Sequence, residues 1–364
     1  PFLPDDSATL TKRCWEVFEI QSNALATRMA ALGKPKLILG VSGGLDSTHA
    51  ALVAIQGLLL NNQSPKDLVC VTMPGLGTSS ATRENAEALC FQLGAQFEEV
   101  ALDRESLNIL AAIGHPAALG AKTSEDLVER LRRSPEQSDI TVENVQARLR
   151  TLVLMSIANR DGGLVVGTGD LSEKALGWST YAGDQISMYD VNAGVPKTLI
   201  QFVIHWVADA RIEAWAPRDA QSLRETLLNI LDTPISPELL PADESGQISQ
   251  LTEETIGPYE LHDFFLYHFV RRGRRPARIL DLATLAFVNQ YDHETLKTWL
   301  RVFLTRFFAY QFKRSCTPDG PKVGMVSLSP RGDWRMPSDA SAQLWLEAVE
   351  QWTPPQPTAL ASDK

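Results

Sequence analysis

Cysteine is scarce. Only Cys14, Cys70, Cys90 and Cys316 occur in 364 residues, and they lie far apart with no Cys-x-x-Cys or Cys/His ligand spacing. That pattern argues against a disulfide framework and a structural zinc, and for a reduced, cytoplasmic protein. The six histidines form no His-Glu-x-x-His phrase. No apolar run approaches a membrane span, and the first residues carry no basic region followed by an apolar core, so no membrane partner is expected. Positive charge is in deficit, 34 Lys and Arg against 44 Asp and Glu for a net charge of −10, which disfavours a general nucleic-acid binder. The Gly-Lys-Ser/Thr of a Walker A loop is missing too, and no internal repeat is visible. The length suffices for one large α/β domain or two smaller ones.

What is present centres on Leu37 to Thr48. A short apolar run, Leu37, Ile38, Leu39, Gly40 and Val41, breaks into Ser42-Gly43-Gly44 and then into Leu45, Asp46 and Ser47 at helical spacing: a buried strand, a tight loop and a helix start. Adjacent glycines let backbone N–H groups converge, and the following helix adds its positive end, so the loop suits an anion. A carboxylate in such a loop, Asp46, makes sense if a cation shares the site.

Residues 1–35 read as a leader or interdomain linker followed by a helix whose apolar face carries Trp15, Phe18, Leu25 and Met29. Strands at 36–41, 68–73, 96–100 and 164–167 alternate with helices at 46–60, 80–92 and 141–159, which predicts a parallel sheet with helices on both faces. Ligands collect at the carboxyl ends of such strands. The weakly periodic 114–140 reads as a mobile insertion, 197–231 as helical, and 233–352 as an acidic loop plus a helical C-terminal part. Phe264, Phe265, Tyr267, Phe269, Phe303, Phe307 and Phe308 read as core rather than a base-stacking platform. The tail at 353–364 reads as disordered.

The phrase Ser42-Gly43-Gly44-Leu45-Asp46-Ser47 resembles the Ser-Gly-Gly-x-Asp-Ser signature of the PP-loop ATP pyrophosphatase superfamily. With Glu143-Asn144-Val145-Gln146-Ala147-Arg148, then Gly167-Thr168-Gly169-Asp170-Leu171-Ser172-Glu173, then Val195-Pro196-Lys197-Thr198, the order and spacing resemble the NAD synthetase family, in particular the synthetase portion of its glutamine-dependent members. The resemblance implies an adenine nucleotide alpha hydrolase-like (Rossmann-like) fold. It also implies a carbon–nitrogen ligase that makes NAD from deamido-NAD, ATP and ammonia and releases AMP and pyrophosphate. Mg²⁺, a glutaminase domain or subunit as ammonia source, and a homodimer or larger homo-oligomer come with it.

Residue by residue, the resemblance places Asp46 and Glu173 as metal carboxylates and Lys197 near the ATP phosphates. Gly40 to Ser47, Thr168 and Ser236 become ATP contacts. Asn144, Arg148, Glu173, Trp178, Ser179, Thr180, Tyr181, Asp184 and Lys313 become the deamido-NAD site. Two departures matter. Tyr181 and Met188 stand where small ammonia-dependent members carry lysine and aspartate, and Tyr181 agrees better with the glutamine-dependent branch. Lys197 also suits a surface lysine at a helix start, and Lys313 a snorkelling interface lysine. Asp184 or Asp170 is the expected acceptor for the proton that ammonium must lose. Cys14 and Cys90 fall on helix faces that read as buried, so neither is a candidate nucleophile. The competing readings are another PP-loop synthetase and a nucleotide-binding subunit without catalysis.

Overall fold

A computed structural model describes residues 2–77, 80–215, 219–233 and 252–354. In chain order it contains α1 (Ser7–Ala31), β1 (Lys36–Gly40), α2 (Leu45–Leu60), β2 (Leu68–Thr72), α3 (Ser80–Leu93), β3 (Gln96–Glu99), α4 (Asp103–Ala112), α5 (Ser124–Arg133), α6 (Ile140–Asp161), β4 (Gly163–Gly167), α7 (Leu171–Leu176) and β5 (Tyr189–Asp190). Then follow α8 (Lys197–Ala210), α9 (Ala220–Leu231), α10 (Thr252–Ile256), α11 (Tyr259–Leu266), α12 (Pro276–Ala286), α13 (His293–Ala309), α14 (Gln311–Arg314) and α15 (Gln343–Glu350).

The five strands form one all-parallel sheet in the order β3-β2-β1-β4-β5. Its central strands are apolar over their middle residues because both faces are covered. Leu37, Leu39, Leu68, Cys70, Leu164 and Val166 face a core shared with α1, α2, α3, α8 and α9. Their alternates Ile38, Val69, Val71 and Val165 face a second core under α4, α5 and α6. At about 1.5–3 kcal/mol for each fully buried aliphatic side chain, this two-sided burial is what holds the sheet. The chain leaves β1 towards β2 and β3, then returns to β4 on the other side of β1. That topological switch opens a crevice at the carboxyl ends of β1 and β4.

A third core joins α7 to the C-terminal helices, and Phe264, Phe265, Tyr267, Phe269, Phe303, Phe307 and Phe308 are all buried in it. Some local expectations need correction. Trp15 is 46% exposed; the buried face of α1 is instead Cys14, Val17, Phe18, Gln21, Ser22, Leu25 and Met29, recurring at three and four. The weak periodicity of 114–140 hides the ten-residue α5, which has a Thr123/Asp126 capping box and buries Leu127 and Leu131. The stretch 197–231 is helical as expected: its described residues form α8, the 3-10 turn Ile212–Trp215 and α9. Cys14 and Cys90 are buried, as is Cys70, while Cys316 is exposed. Ser236 and residues 355–364 lie outside the described residues. Among the described residues no helix is long and apolar enough to cross a membrane.

Candidate active site

The glycine loop follows β1 at the crevice. Gly43 has φ +80°, and a Cβ there would lie 2.2 Å from the Thr82 carbonyl oxygen, so the turn accepts only glycine. The Ser42 amide donates to Ser47 Oγ (3.2 Å), the Gly44 amide donates to Ser42 Oγ (3.2 Å), and the Ser47 hydroxyl donates back to the Gly44 carbonyl. The loop is thereby closed on itself. Helix α2 follows its N-cap Gly44 with no side-chain cap, which leaves its first-turn N–H groups free of a capping side chain and suits an anion. Gly40, Val41 and Leu45 are the strand end, the buried start of the loop and the helix start that aim this turn; the Val41 amide donates to Val71 O (3.0 Å).

Strand β4 delivers the second wall. Asp170 caps α7, accepting from the Glu173 amide at 2.8 Å in a reciprocal capping box, so the local sequence Asp-Leu-Ser-Glu holds both carboxylates at one helix end. From β5 the chain runs to α8, whose first residue is Lys197. Its ammonium sits 2.6 Å from Asp46 Oδ2, 2.8 Å from Asp170 Oδ2 and 3.0 Å from Glu173 Oε1. Lys197 is therefore no surface lysine: it is 4% exposed. Burial pulls its pKa down, but the three carboxylates outweigh burial and hold it well above the usual lysine value. Burial pushes Asp46 and Glu173 up despite the pull of Lys197.

Three carboxylates meet one ammonium, so the acidic groups outnumber the basic one by two. One oxygen from each of Asp46, Asp170 and Glu173 falls within 4.8 Å of the others, and Asp46 Oδ1 is buried without a hydrogen-bond partner among the described residues. Hard oxygen donors in excess of the one ammonium and an orphaned oxygen fit a divalent cation such as Mg²⁺. Asp170 was expected only as a proton acceptor; its Asp-x-x-Glu capping pattern is the signal that could have placed it beside Glu173.

Sequence reasoning missed the supports. Asn192 Nδ2 donates to Asp46 O and Thr168 O, each at 3.0 Å, tying the β1 loop to the β4 loop. Lys174 pairs with buried Asp190 and donates to Gly169 O at 3.0 Å. Thr168 stands at the crevice with its carbonyl held by Asn192.

Glu173, Asp46 and Lys197 thus come together, and a second group assembles one helix away. Thr180 Oγ1 donates to Asn144 Oδ1 (2.7 Å), Arg148 Nε donates to Tyr181 O (3.2 Å), and Asp184 Oδ1 accepts from the Thr180 amide (2.7 Å). Lys313 Nζ donates to Gly177 O at 2.8 Å and to Ser179 O, and lies over the Tyr310 ring. It is folded inward rather than snorkelling. Trp178 stacks under the Arg306 guanidinium at 5.1 Å, and Tyr181, 45% exposed, meets Phe312 at 5.4 Å between ring centroids. The result is a cationic, aromatic surface that suits a flat anionic ring.

A parallel sheet with a switch-point crevice, a glycine loop without a Walker lysine and a carboxylate–lysine cluster define an α/β protein of the PP-loop type. A family model described as NAD synthase matches residues 17–208; the chain belongs to the NAD synthase family. The glutamine-dependent NAD(+) synthetase of Mycobacterium leprae is 41% identical over 374 residues, which cover 97% of this chain and 52% of that protein. The chain spans about half the length of the curated relatives it matches. A solved glutamine-dependent NAD(+) synthetase from Cytophaga hutchinsonii superposes with a TM-score of 0.71 at 20% identity, covering 93% of this chain and 56% of that one. An NMN synthetase from Francisella tularensis shares the fold with a TM-score of 0.52 at 19% identity, covering 81% of this chain and 95% of that one.

Proposed function

We propose that this chain amidates deamido-NAD to NAD at the expense of ATP, through an acyl-adenylate, releasing AMP and pyrophosphate. The observation that carries the reading is Lys197 buried among Asp46, Asp170 and Glu173 beside the Ser42–Ser47 loop. Joining a substrate carboxylate to the α-phosphorus of ATP brings anions together, so charge neutralisation is the main catalytic task. Backbone groups of the glycine loop and the hydroxyls of Ser42 and Ser47 hold the phosphates that leave as pyrophosphate, and Lys197 offsets charge at the reacting phosphorus. Asp46, Asp170 and Glu173 would hold Mg²⁺, which supplies further neutralisation of the triphosphate. Asn144, Arg148, Trp178, Ser179, Thr180, Tyr181, Asp184 and Lys313 bind the dinucleotide.

Ammonia then attacks the activated carbonyl. Asp170 is already paired with Lys197, so Asp184, reachable from solvent, is the better acceptor for the proton that ammonium loses. The relatives' names support glutamine as the ultimate nitrogen source, with a glutaminase segment or subunit releasing ammonia. Assembly as a homodimer or larger homo-oligomer belongs to the same reading.

The test measures NAD, AMP and pyrophosphate from ATP, Mg²⁺ and deamido-NAD, with ammonium or glutamine, and repeats it with deamido-NMN as acceptor. Equal amounts of the three products with ammonium and deamido-NAD are expected. Turnover of deamido-NMN alone would reassign the acceptor to that of an NMN synthetase. ATP binding without products would move the chain to a nucleotide-binding subunit without catalysis.

A further inference from the structure

Helix α8 begins without a cap of its own. Its N-cap residue is Pro196, which offers no side-chain acceptor, yet Lys197 and Thr198, its first two residues, have buried amides that need partners. Both partners come from elsewhere. The Lys197 amide donates to Ser172 Oγ at 2.9 Å, and the Thr198 amide and hydroxyl donate to Asp263 Oδ2 at 3.2 and 2.6 Å. The Ser172 hydroxyl in turn donates to Asp263 Oδ1. Ser172 immediately precedes Glu173 in α7. One carboxylate, 2% exposed and 91 residues beyond Ser172, therefore anchors the two helix starts that carry Lys197 and Glu173.

Asp263 comes from α11, in the C-terminal layer rather than the sheet. One turn earlier on the same helix, Tyr259 places its ring 5.4 Å from the Lys197 ammonium, and its hydroxyl is buried with no hydrogen-bond partner among the described residues. Residues four apart share a helix face, so α11 meets the start of α8 at the Thr198 backbone, through Asp263, and at the Lys197 side chain, through Tyr259. A charged residue buried in an aromatic helix needs a compensating set of donors. Those found here belong entirely to the site-bearing helices.

We propose that Asp263 is a positioning residue for the reaction: it caps α8 in place of Pro196 and, through Ser172, sets Lys197 and Glu173 relative to each other. The inference rests on the functional reading above for its kinetic consequence, and on the free protein for its structural one.

Asp263→Asn keeps the shape but cannot accept from both Thr198 donors while accepting from Ser172. In the ammonium-dependent assay kcat should fall by about tenfold or more while KM for ATP moves by less than about threefold. Ser172→Ala should lower kcat in the same direction, and the double variant should be no worse than Asp263→Asn alone. Asp281→Asn is the control. Asp281 accepts from the Trp352 indole at 3.0 Å in the same C-terminal layer and bonds to no residue of the site. It should lower the melting temperature and leave kcat unchanged. On the free protein, amide exchange at Lys197 and Thr198 should accelerate by about tenfold in Asp263→Asn but not in Asp281→Asn.

Unchanged kcat per folded molecule, or unchanged exchange at those two amides, overturns the proposal. If Asp263→Asn does not fold, Ser172→Ala decides by the same two measurements. A wild-type chain that makes no NAD overturns the functional reading alone, and the exchange experiment still decides the positioning role.

Discussion

Two buried ion clusters lie within a few residues of each other at the carboxyl edge of the sheet, and they are built on opposite principles. Around Lys174 the charges balance: one ammonium, one carboxylate from Asp190, with the Gly169 carbonyl and the Asn192 amide taking up remaining bonds. Around Lys197 they do not: three carboxylates surround one ammonium, and Asp46 Oδ1 has no partner among the described residues. A balanced, saturated pair has nothing left to offer a ligand and acts as a strut. An unbalanced, unsaturated cluster is costly to bury unless something arrives to complete it, and that residual demand is what a cation-dependent site provides.

The sharpest way to break the contrast is to remove each ammonium. Lys197→Met should lower kcat/KM by roughly 10²–10³ and cost about 3 kcal/mol of stability, because three carboxylates lose their internal counter-charge. Mg²⁺ should restore more of the melting temperature in this variant than it adds to the wild type. Steady-state kinetics and thermal unfolding with and without Mg²⁺ check it; equal shifts in both proteins would remove the cation site. Lys174→Met should also cost about 3 kcal/mol by stranding Asp190, but with no Mg²⁺ rescue, and adding Asp190→Leu should recover much of the loss. Recovery by Mg²⁺ there would erase the distinction between strut and site.

A smaller effect comes from Asp263. Burial pushes its carboxyl up to about 6, against the hydrogen bonds from Ser172 and Thr198 that pull it down. The unfolded reference is near 4, so below that pH both states are protonated and burial of the charge costs nothing. As pH rises towards 6 the unfolded chain ionises first, and stability declines until the native carboxyl also gives up its proton. The stability of wild type relative to Asp263→Asn should therefore drop by up to about 2–3 kcal/mol between pH 4 and 6 and then stay level. Urea unfolding of both proteins across that range measures it; a flat difference would place the native value near the unfolded one.

Much of the site was legible because its pieces are local. Ser42 to Ser47 and Asp170 to Glu173 are each a strand end, a turn and a helix start within a handful of residues, and short-range sterics and capping decide such geometry. Four of the five strands were legible for the same reason, as short apolar runs separated by helix-length segments; the two-residue β5 was not. Asp263 left only a faint signal: a lone carboxylate in Leu261-His262-Asp263-Phe264-Phe265 has to be buried with partners, but nothing nearby in sequence says which. The Lys174–Asp190 pair gave none, since each residue alone reads as an ordinary helix or loop charge.

The amino-acid order alone determined the parallel α/β pattern, the glycine loop and the phrases that carry the family resemblance, because each depends on contacts between near neighbours. Only the tertiary structure decided that Lys197 is buried rather than capping a surface helix, that Asp170 joins Asp46 and Glu173, and that a C-terminal helix holds the start of α8. Those outcomes depend on the balance of burial against charge among residues 24 to 151 positions apart, a balance that exists only once the chain has folded.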